Sequence, residues 1–420
     1  MSKSFLALNL VYVFFSFQSY SQETTRNTQT EDLKIYLDCR FCDNTFLKQS
    51  LGNVQFVRDQ DQGDVHLFFL TQGNGSGGRH YDIDFIGKNS FESINYKLSF
   101  STDSNMTSDD VRKRILEKIK LGLVRFWIEK GTLEGVSVSA PTPKVEEEDK
   151  TKPEVEDPWN YWVFRVGANG WFNGQESNHS SNLNFDFSAR RVTEKNKFFM
   201  RVGFNENIST FTFDGDDIVS INSGKSFTIR DVLSINDHWS YGAFGDIGTS
   251  TFGNYDLYWS LQPAIEYNFF KYEDSAKKQL LLSYRNGLRY NDYTERSVYA
   301  KDSELLWQHS ISFGGSLKQE WGNLNGYASF NQYLHDTTLN SLNFNLGANI
   351  RLFKGFNFNV GGNYSITRNQ INIPAGDVTL EELLLQQQQL ESGYNYFFNV
   401  GISYSFGSIY NTFVNPRFNF

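Results

Sequence analysis

The chain has 420 residues, a formal net charge of −9 and a mean hydropathy of −0.48. That length has room for two or three domains, and the acidic balance excludes a basic phosphate-binding surface, so no nucleic-acid partner is expected. Part of the charge is local: between Lys144 and Asp157 seven acids face three lysines, which leaves the remainder only mildly acidic.

In chain order, Lys3 precedes an apolar run from Phe5 to Phe17 and then Ser19, Tyr20, Ser21 and Gln22. This order of charged, apolar and small residues predicts a signal peptide over 1–22, in a run too short to span a membrane as a helix. No later run is long and apolar enough for a transmembrane helix.

Residues 23–140 read as a small α+β periplasmic domain. Period-two and turn signals predict strands at 34–38, 54–57, 65–71, 79–87 and 94–101 and a short helix at 43–51. Ser108 is the expected cap of a helix with Asp109 and Asp110 in its first turn and Val111, Ile115, Ile119, Gly122 and Phe126 at helical spacing. Gly131 would stop it, and a last strand is expected at Val136 to Val138.

Cys39 and Cys42 stand where a thioredoxin-like CxxC would, but no proline occurs before Pro141 to face the motif. An oxidising compartment favours a disulfide or a quiet pair over redox catalysis. Zinc would need a second ligand pair, so neither metal nor cofactor is expected. Gly73, Gly75 and Gly78 spell G-x-G-x-x-G, yet a strand follows where a phosphate site needs a helix N-terminus, which predicts a hairpin turn. The succession of D-V-H-L-F-F-L, a glycine-rich turn, R-H-Y-D-I-D-F-I and a long helix resembles the amino-terminal domain of TolB-type periplasmic proteins.

Residues 141–158 collect acids, lysines and four of the seven prolines with almost nothing to bury, and predict an extended tether. From 159 to 420 the pattern changes to strands of alternating polarity, at 160–171, 180–193, 197–211, 226–236, 238–249, 255–269, 278–291, 304–318, 322–334, 341–353, 355–369 and 394–406. Twelve is an even number, and each span reaches the ~9–11 residues that cross a bilayer when tilted. The fold class expected is mostly β: an antiparallel transmembrane β-barrel of about twelve strands behind the small α+β domain. Links after even-numbered strands look short and several after odd-numbered strands long, at 212–225, 292–303 and 370–393, as periplasmic turns and outer loops should. Aromatic residues are 16% of the chain and gather near strand ends. Trp159, Tyr161, Trp162, Trp239, Tyr241, Tyr267, Phe269 and Trp321 are expected at one interface and Tyr255, Tyr258, Tyr290, Tyr394 and Tyr396 at the other.

In the last strand Asn399, Gly401, Tyr404 and Phe406 resemble the polar-x-Gly-x-x-aromatic-x-aromatic signal that the barrel assembly machinery reads. The stretch 159–420 is similar to Gram-negative outer-membrane β-barrels. The resemblance implies outer-membrane lipid and that machinery as partners, a periplasmic N-terminal domain and extracellular long loops. A further envelope partner of the domain stays open, as does the role of the tail after Phe406.

The polar face carries Arg165, Asp186, Arg190, Arg201, Arg230, Asp246, Glu266, Arg285, Arg289 and Arg351. Charge on the lipid side costs ~2–4 kcal/mol at the midplane, so these are expected to line the lumen. They would form either a salt-bridged filling, with Glu266 reaching Arg285 and Asp186 reaching Arg201, or a mildly anion-preferring pore. Outer-membrane phospholipases use a His and a Ser two apart on the lipid side, together with an Asn. His238 and Ser240 have the spacing but point inward by this register, and His309 is followed at two by Ile311, so no enzyme is expected. A capping box at Thr379 to Glu382 predicts a short helix in the loop 371–392, lying over or into the mouth or in solvent. Function therefore reads as a non-enzymatic barrel, a small-solute channel or an anchor for the domain, with an envelope-binding module as the alternative.

Overall fold

The computed structural model describes residues 32–131, 157–213, 215–376, 393–408 and 417. The expected leader, the strand at 136–138, most of the tether, the loop helix from Thr379 and most of the tail lie outside the described residues.

The first unit has strands β1 (Leu33–Asp38), β2 (Val54–Val57), β3 (Val65–Gly73), β4 (Arg79–Gly87) and β5 (Asn95–Ser101), with helices α1 (Asn44–Ser50) and α2 (Ser108–Lys130). Sheet order is β2-β1-β3-β4-β5; β1 runs parallel to both β2 and β3, and the other neighbours are antiparallel hairpins. Alternation gives the sheet two unlike faces. Leu33, Ile35, Leu67, Ile83 and Phe85 pack under Ile115, Ile119, Leu123 and Phe126 of α2, whereas Tyr36, Asp38, His66, Gln72 and Asp84 turn the other way. Gly122 lets α2 lie directly on Phe85, since a Cβ there would stand 1.9 Å from the ring. The cap of α2 is Thr107, one residue before the expected Ser108: its Oγ1 accepts from the Asp110 amide while the Asp110 carboxylate accepts from the Thr107 amide. Gly131 ends the helix in the left-handed region at φ 74°.

The second unit is a twelve-stranded antiparallel sheet in simple chain order: β6 (Trp162–Gln175), β7 (Asn178–Val192), β8 (Asn196–Phe213), β9 (Asp216–Ser234), β10 (Trp239–Ser250), β11 (Tyr255–Asn268), β12 (Lys278–Tyr293), β13 (Ser303–Gln319), β14 (Gly322–Tyr333), β15 (Asp336–Phe353), β16 (Phe356–Thr367) and β17 (Tyr394–Tyr404). β6 and β17 are its edges, and no pairing joins them among the described residues.

The register sets most large apolar side chains on one face, which also carries Arg191, Glu206, Lys225 and Asp231 on β7–β9. In one direction point Val166, Val202, Ile247, Leu282, Phe313, Phe344, Val400 and Ile402, all well exposed, with Val166 at 82% and Val400 at 67%. An apolar face that wide, running over twelve strands and left uncovered by protein, is a lipid face rather than half of a soluble core. The chain is accordingly mostly β, a twelve-stranded antiparallel sheet of the transmembrane-barrel class preceded by a small α+β domain.

Two expectations change. Most of the long link at 212–225 is strand: β8 runs to Phe213 and β9 begins at Asp216, and the links at 176–177 and 334–335 are short as well. Hydrogen bonding carries these hairpins past the length that hydropathy marks, so the end opposite the short turns is set apart chiefly by the span 368–393 between β16 and β17. Tyr258 shares the polar face with Asn291, and Tyr255 and Tyr258 gather around Arg289 instead of forming an interfacial belt.

Candidate functional site: the turn-side mouth

One end of the β6–β17 sheet is formed by the links at 193–195, 235–238, 269–277, 320–321 and 354–355. The polar face of the α+β sheet lies against this end. Asp84 pairs with Lys277 at 2.7 Å, Asp38 with Arg351 at 3.7 Å, Asp59 with Lys354 at 3.7 Å, and in the opposite sense Lys88 pairs with Glu320 at 2.9 Å. Three of the four pairs set a domain acid against a barrel base, the complementarity that orients charged surfaces.

Arg351, at the end of β15, is the hub. Its guanidinium donates to Gln60 Oε1 at 2.9 Å, to the Glu320 carbonyl at 3.1 Å and to the Tyr36 hydroxyl, and lies 5.0 Å from the centre of the Tyr36 ring. Burial and the Asp38 charge push the Tyr36 phenol up to about 12. His66 beside it is fully buried, with Nε2 hydrogen-bonded to Asp38 at 3.3 Å and Nδ1 3.4 Å from Glu320. Burial alone would push the imidazole pKa down; the Asp38 hydrogen bond and the two carboxylates outweigh it and hold it above the ordinary value. The same contacts, His66 first and Lys88 after it, hold the Glu320 carboxyl down at about 2.

Contacts extend around the mouth. Lys318 donates to the Thr71 carbonyl, Ser275 to Gln72 and Arg40 to Asn349. At the tip of the β3–β4 hairpin a Cβ on Gly75 would stand 2.8 Å from Val192 Cβ at the end of β7. The glycine-rich motif is thus a hairpin, as expected, whose lack of side chains permits close approach to the barrel. The domain touches the β7–β8, β11–β12, β13–β14 and β15–β16 ends, four of the five on this side. Between them lies a cavity of about 430 Å³ whose lining includes Arg40, Phe41, Phe68, Trp321 and Arg351.

Strand pairing places Arg165, Asp186, Arg190, Arg201, Glu266, Arg285, Arg289 and Arg351 on the face opposite the apolar one. Arg351 belongs to the mouth, and Arg190 lies beside Gly77 at its edge. Asp186 and Arg201 approach to 3.7 Å. The expected reach of Glu266 to Arg285 is not made: Glu266 accepts from the Tyr272 hydroxyl at 3.4 Å, and Arg285 stacks 3.8 Å over Phe244 instead. Arg289 donates to Asn291 and faces the rings of Tyr255 and Tyr258, each at 5.4 Å. Asn399 and Gly401 lie on the polar face of β17, with Tyr404 on its apolar face. Cys39 and Cys42 are bridged, their Cα atoms 5.5 Å apart. Ser240 Oγ shares its hydrogen with the Tyr272 hydroxyl at 2.6 Å and His238 Nδ1 meets the Asn268 carbonyl, so the two are partnered separately. Among the described residues no cluster of His, Cys, Asp or Glu is arranged to hold a metal.

At the other end the segment 369–376 crosses the sheet. Asn372 and Asn254 exchange bonds with each other's loops, Val298 N donates to the Ile373 carbonyl, and Ile371 is buried against Leu306, Tyr333 and Leu339. Sequence reasoning missed His66, Asp38, Lys88 and Glu320 altogether. The available signal was the run of polar residues on alternate positions of otherwise buried strands, His66 and Gln72 in β3 and Asp82 and Asp84 in β4.

No family model and no curated protein matches the chain. Among solved structures, the translocator domain of the autotransporter NalP from Neisseria meningitidis aligns with 58% of this chain and 87% of its own at 13% identity, with a TM-score of 0.22. At that score the fold assignment rests on the strand pairing itself.

Proposed function

We propose that this chain is a non-enzymatic outer-membrane β-barrel that anchors its own α+β domain across its periplasmic mouth. The observation that carries the reading is the docking of the polar sheet face on four of the five turn-side hairpins. The wide apolar band supplies the membrane surface, and the domain follows a predicted leader and precedes the stretch 141–158 that the sequence predicts as a tether. In this arrangement the barrel is closed at rest, and the inward charges line a solute path only when the domain departs.

The test uses the full chain. Gln72 and Ser275 touch across the interface, so the double substitution Gln72→Cys with Ser275→Cys is expected to cross-link under mild oxidation in isolated outer membranes. The same protein in a planar bilayer is expected to be silent while locked and to conduct after reduction. Absence of the cross-link in correctly fractionated protein sinks the capped-barrel reading; conductance while locked sinks the closed resting state. An envelope-binding role has one observation in its favour: Leu121 and Ile128 of α2 are exposed. Loss of a defined envelope partner on Leu121→Lys would support it.

A further inference from the structure

The inward face of the sheet is not uniform. Along β6–β12 it carries the charged residues named above. The inward positions of β14, β16 and β17 carry none, and β13 and β15 have charge only at their ends, at Glu304, Lys318 and Arg351. Asparagine, serine and glycine fill most of the remainder, with Leu306, Gln308 and Tyr333 toward one end. Where asparagine faces glycine the amide lies flat over it: a Cβ on Gly347 would stand 2.7 Å from Asn325 Oδ1, and one on Gly361 2.7 Å from Asn399 Oδ1. The wall is therefore lined with amides, some of them seated over glycines of the next strand.

Out of this wall stand two aromatic rings. One cross-strand row reads Gly314, Tyr327, Asn345, Asn363, Phe397 over β13–β17. Tyr327 is 46% exposed within the sheet, and Phe397, on the edge strand β17 whose residues are exposed almost throughout, also points away from the lipid face. Tyr327 is held by a hydrogen bond from its hydroxyl to Ser312. Three strand spacings separate the two rings, ~14 Å, with two amides between them. On the charged part of the wall one row has a similar composition, Trp171 of the edge strand β6 beside Asn182, Asn207 and Asn222.

We infer that this uncharged half of the lumen wall is a binding strip for a neutral saccharide chain. An amide offers a donor and an acceptor side by side, which matches vicinal hydroxyls, and a flat exposed ring accepts the apolar face of a pyranose. A charged solute would find no counter-charge on this strip, and a purely apolar one would leave the amides unpaired. The inference rests on the barrel reading, because only a closed barrel makes this face a lumen.

The experiment titrates the folded full chain, with the domain undocked at high salt, by calorimetry. The probes are maltopentaose, chitopentaose and xylopentaose, with pentagalacturonate as the charged control. At least one neutral probe is expected to bind, and Tyr327→Ala and Phe397→Ala each to weaken it about tenfold, the scale of one lost stacking contact. Tyr364→Ala, on the lipid face of β16, is expected to change nothing. Failure of all three neutral probes, preference for pentagalacturonate, or binding indifferent to Tyr327 and Phe397 overturns the inference. Heat-modifiable migration and recovery in the outer-membrane fraction, scored on the same preparations, report separately on the barrel reading.

Discussion

Glu320, in the turn between β13 and β14, lies 3.4 Å from Nδ1 of His66, a fully buried histidine of the other domain. Lys88 and Asp38 complete the group, and Arg351 ties Asp38 to the barrel. This cluster joins the two units, and within it the pKa of His66 is raised and that of Glu320 lowered.

The sign follows from the two shifts. Of the groups that raise the pKa of His66, Asp38 belongs to its own domain and Glu320 to the barrel, so it is the Glu320 share that contributes to docking; that share is complete below the ordinary histidine range and is lost as pH rises through the raised value. The lowered pKa of Glu320 means that its contribution is complete above the ordinary glutamate range and is lost as pH falls toward about 2. Docking is expected to be tightest at mildly acidic pH and to weaken on the alkaline side. The yield of oxidative cross-linking in the double variant Gln72→Cys with Ser275→Cys, followed against pH, reads this directly. With His66→Gln added, the alkaline limb should vanish; a profile unchanged by that substitution would remove His66 from the account.

Gly75→Val puts a branched side chain where the hairpin tip meets Val192. Overpacking of this kind costs about 1–3 kcal/mol, and here the cost falls on docking rather than on the domain, because β3 and β4 pair independently of the tip. Limited proteolysis within 141–158 should accelerate while hydrogen exchange in β3 and β4 stays slow.

Gly122→Ala acts inside the domain. The new Cβ would stand 1.9 Å from the Phe85 ring, which is fully buried and stacked on Tyr96 at 5.1 Å and so has nowhere to move. Alanine gains about 1 kcal/mol of helix propensity, but separating α2 from the sheet should exceed that and give a net loss. Faster amide exchange along α2 is the expected result; a stabilised domain would mean that the helix can shift without loss.

The two faces of β17 should respond differently to charge. Val400→Arg places a cation on the apolar face and is expected to cost ~2–4 kcal/mol in folding into lipid vesicles. Asn399→Arg, one residue away on the polar face, should fold nearly as the parent does. Equal effects would mean that the register or the membrane face is assigned wrongly.

Much of this architecture is legible in the sequence. Twelve alternating strands, their faces and nearly all their centres follow from a period of two, and a wrong register would turn every one of those side chains over. The glycine-rich hairpin and the stop at Gly131 follow from local chemistry within a few residues, whereas Cys39 and Cys42 read only as a disulfide or a quiet pair until the structure showed the bridge. Strand ends are less legible: 212–225 is polar and glycine-containing, yet the β8–β9 ladder continues through it because a hairpin partner satisfies the backbone.

What the sequence by itself determined, then, is what repeats or acts locally: the number of strands, which side of each is apolar, and the composition of the polar face. The tertiary structure alone decided the capped mouth, the crossing segment at Ile371 and the failure of Glu266 to reach Arg285. Lys88 and Glu320 are 232 positions apart, and the partners of His66 come from two domains. Such contacts are set by where two folded surfaces meet, a property of their combined shape and charge that leaves no period in either segment.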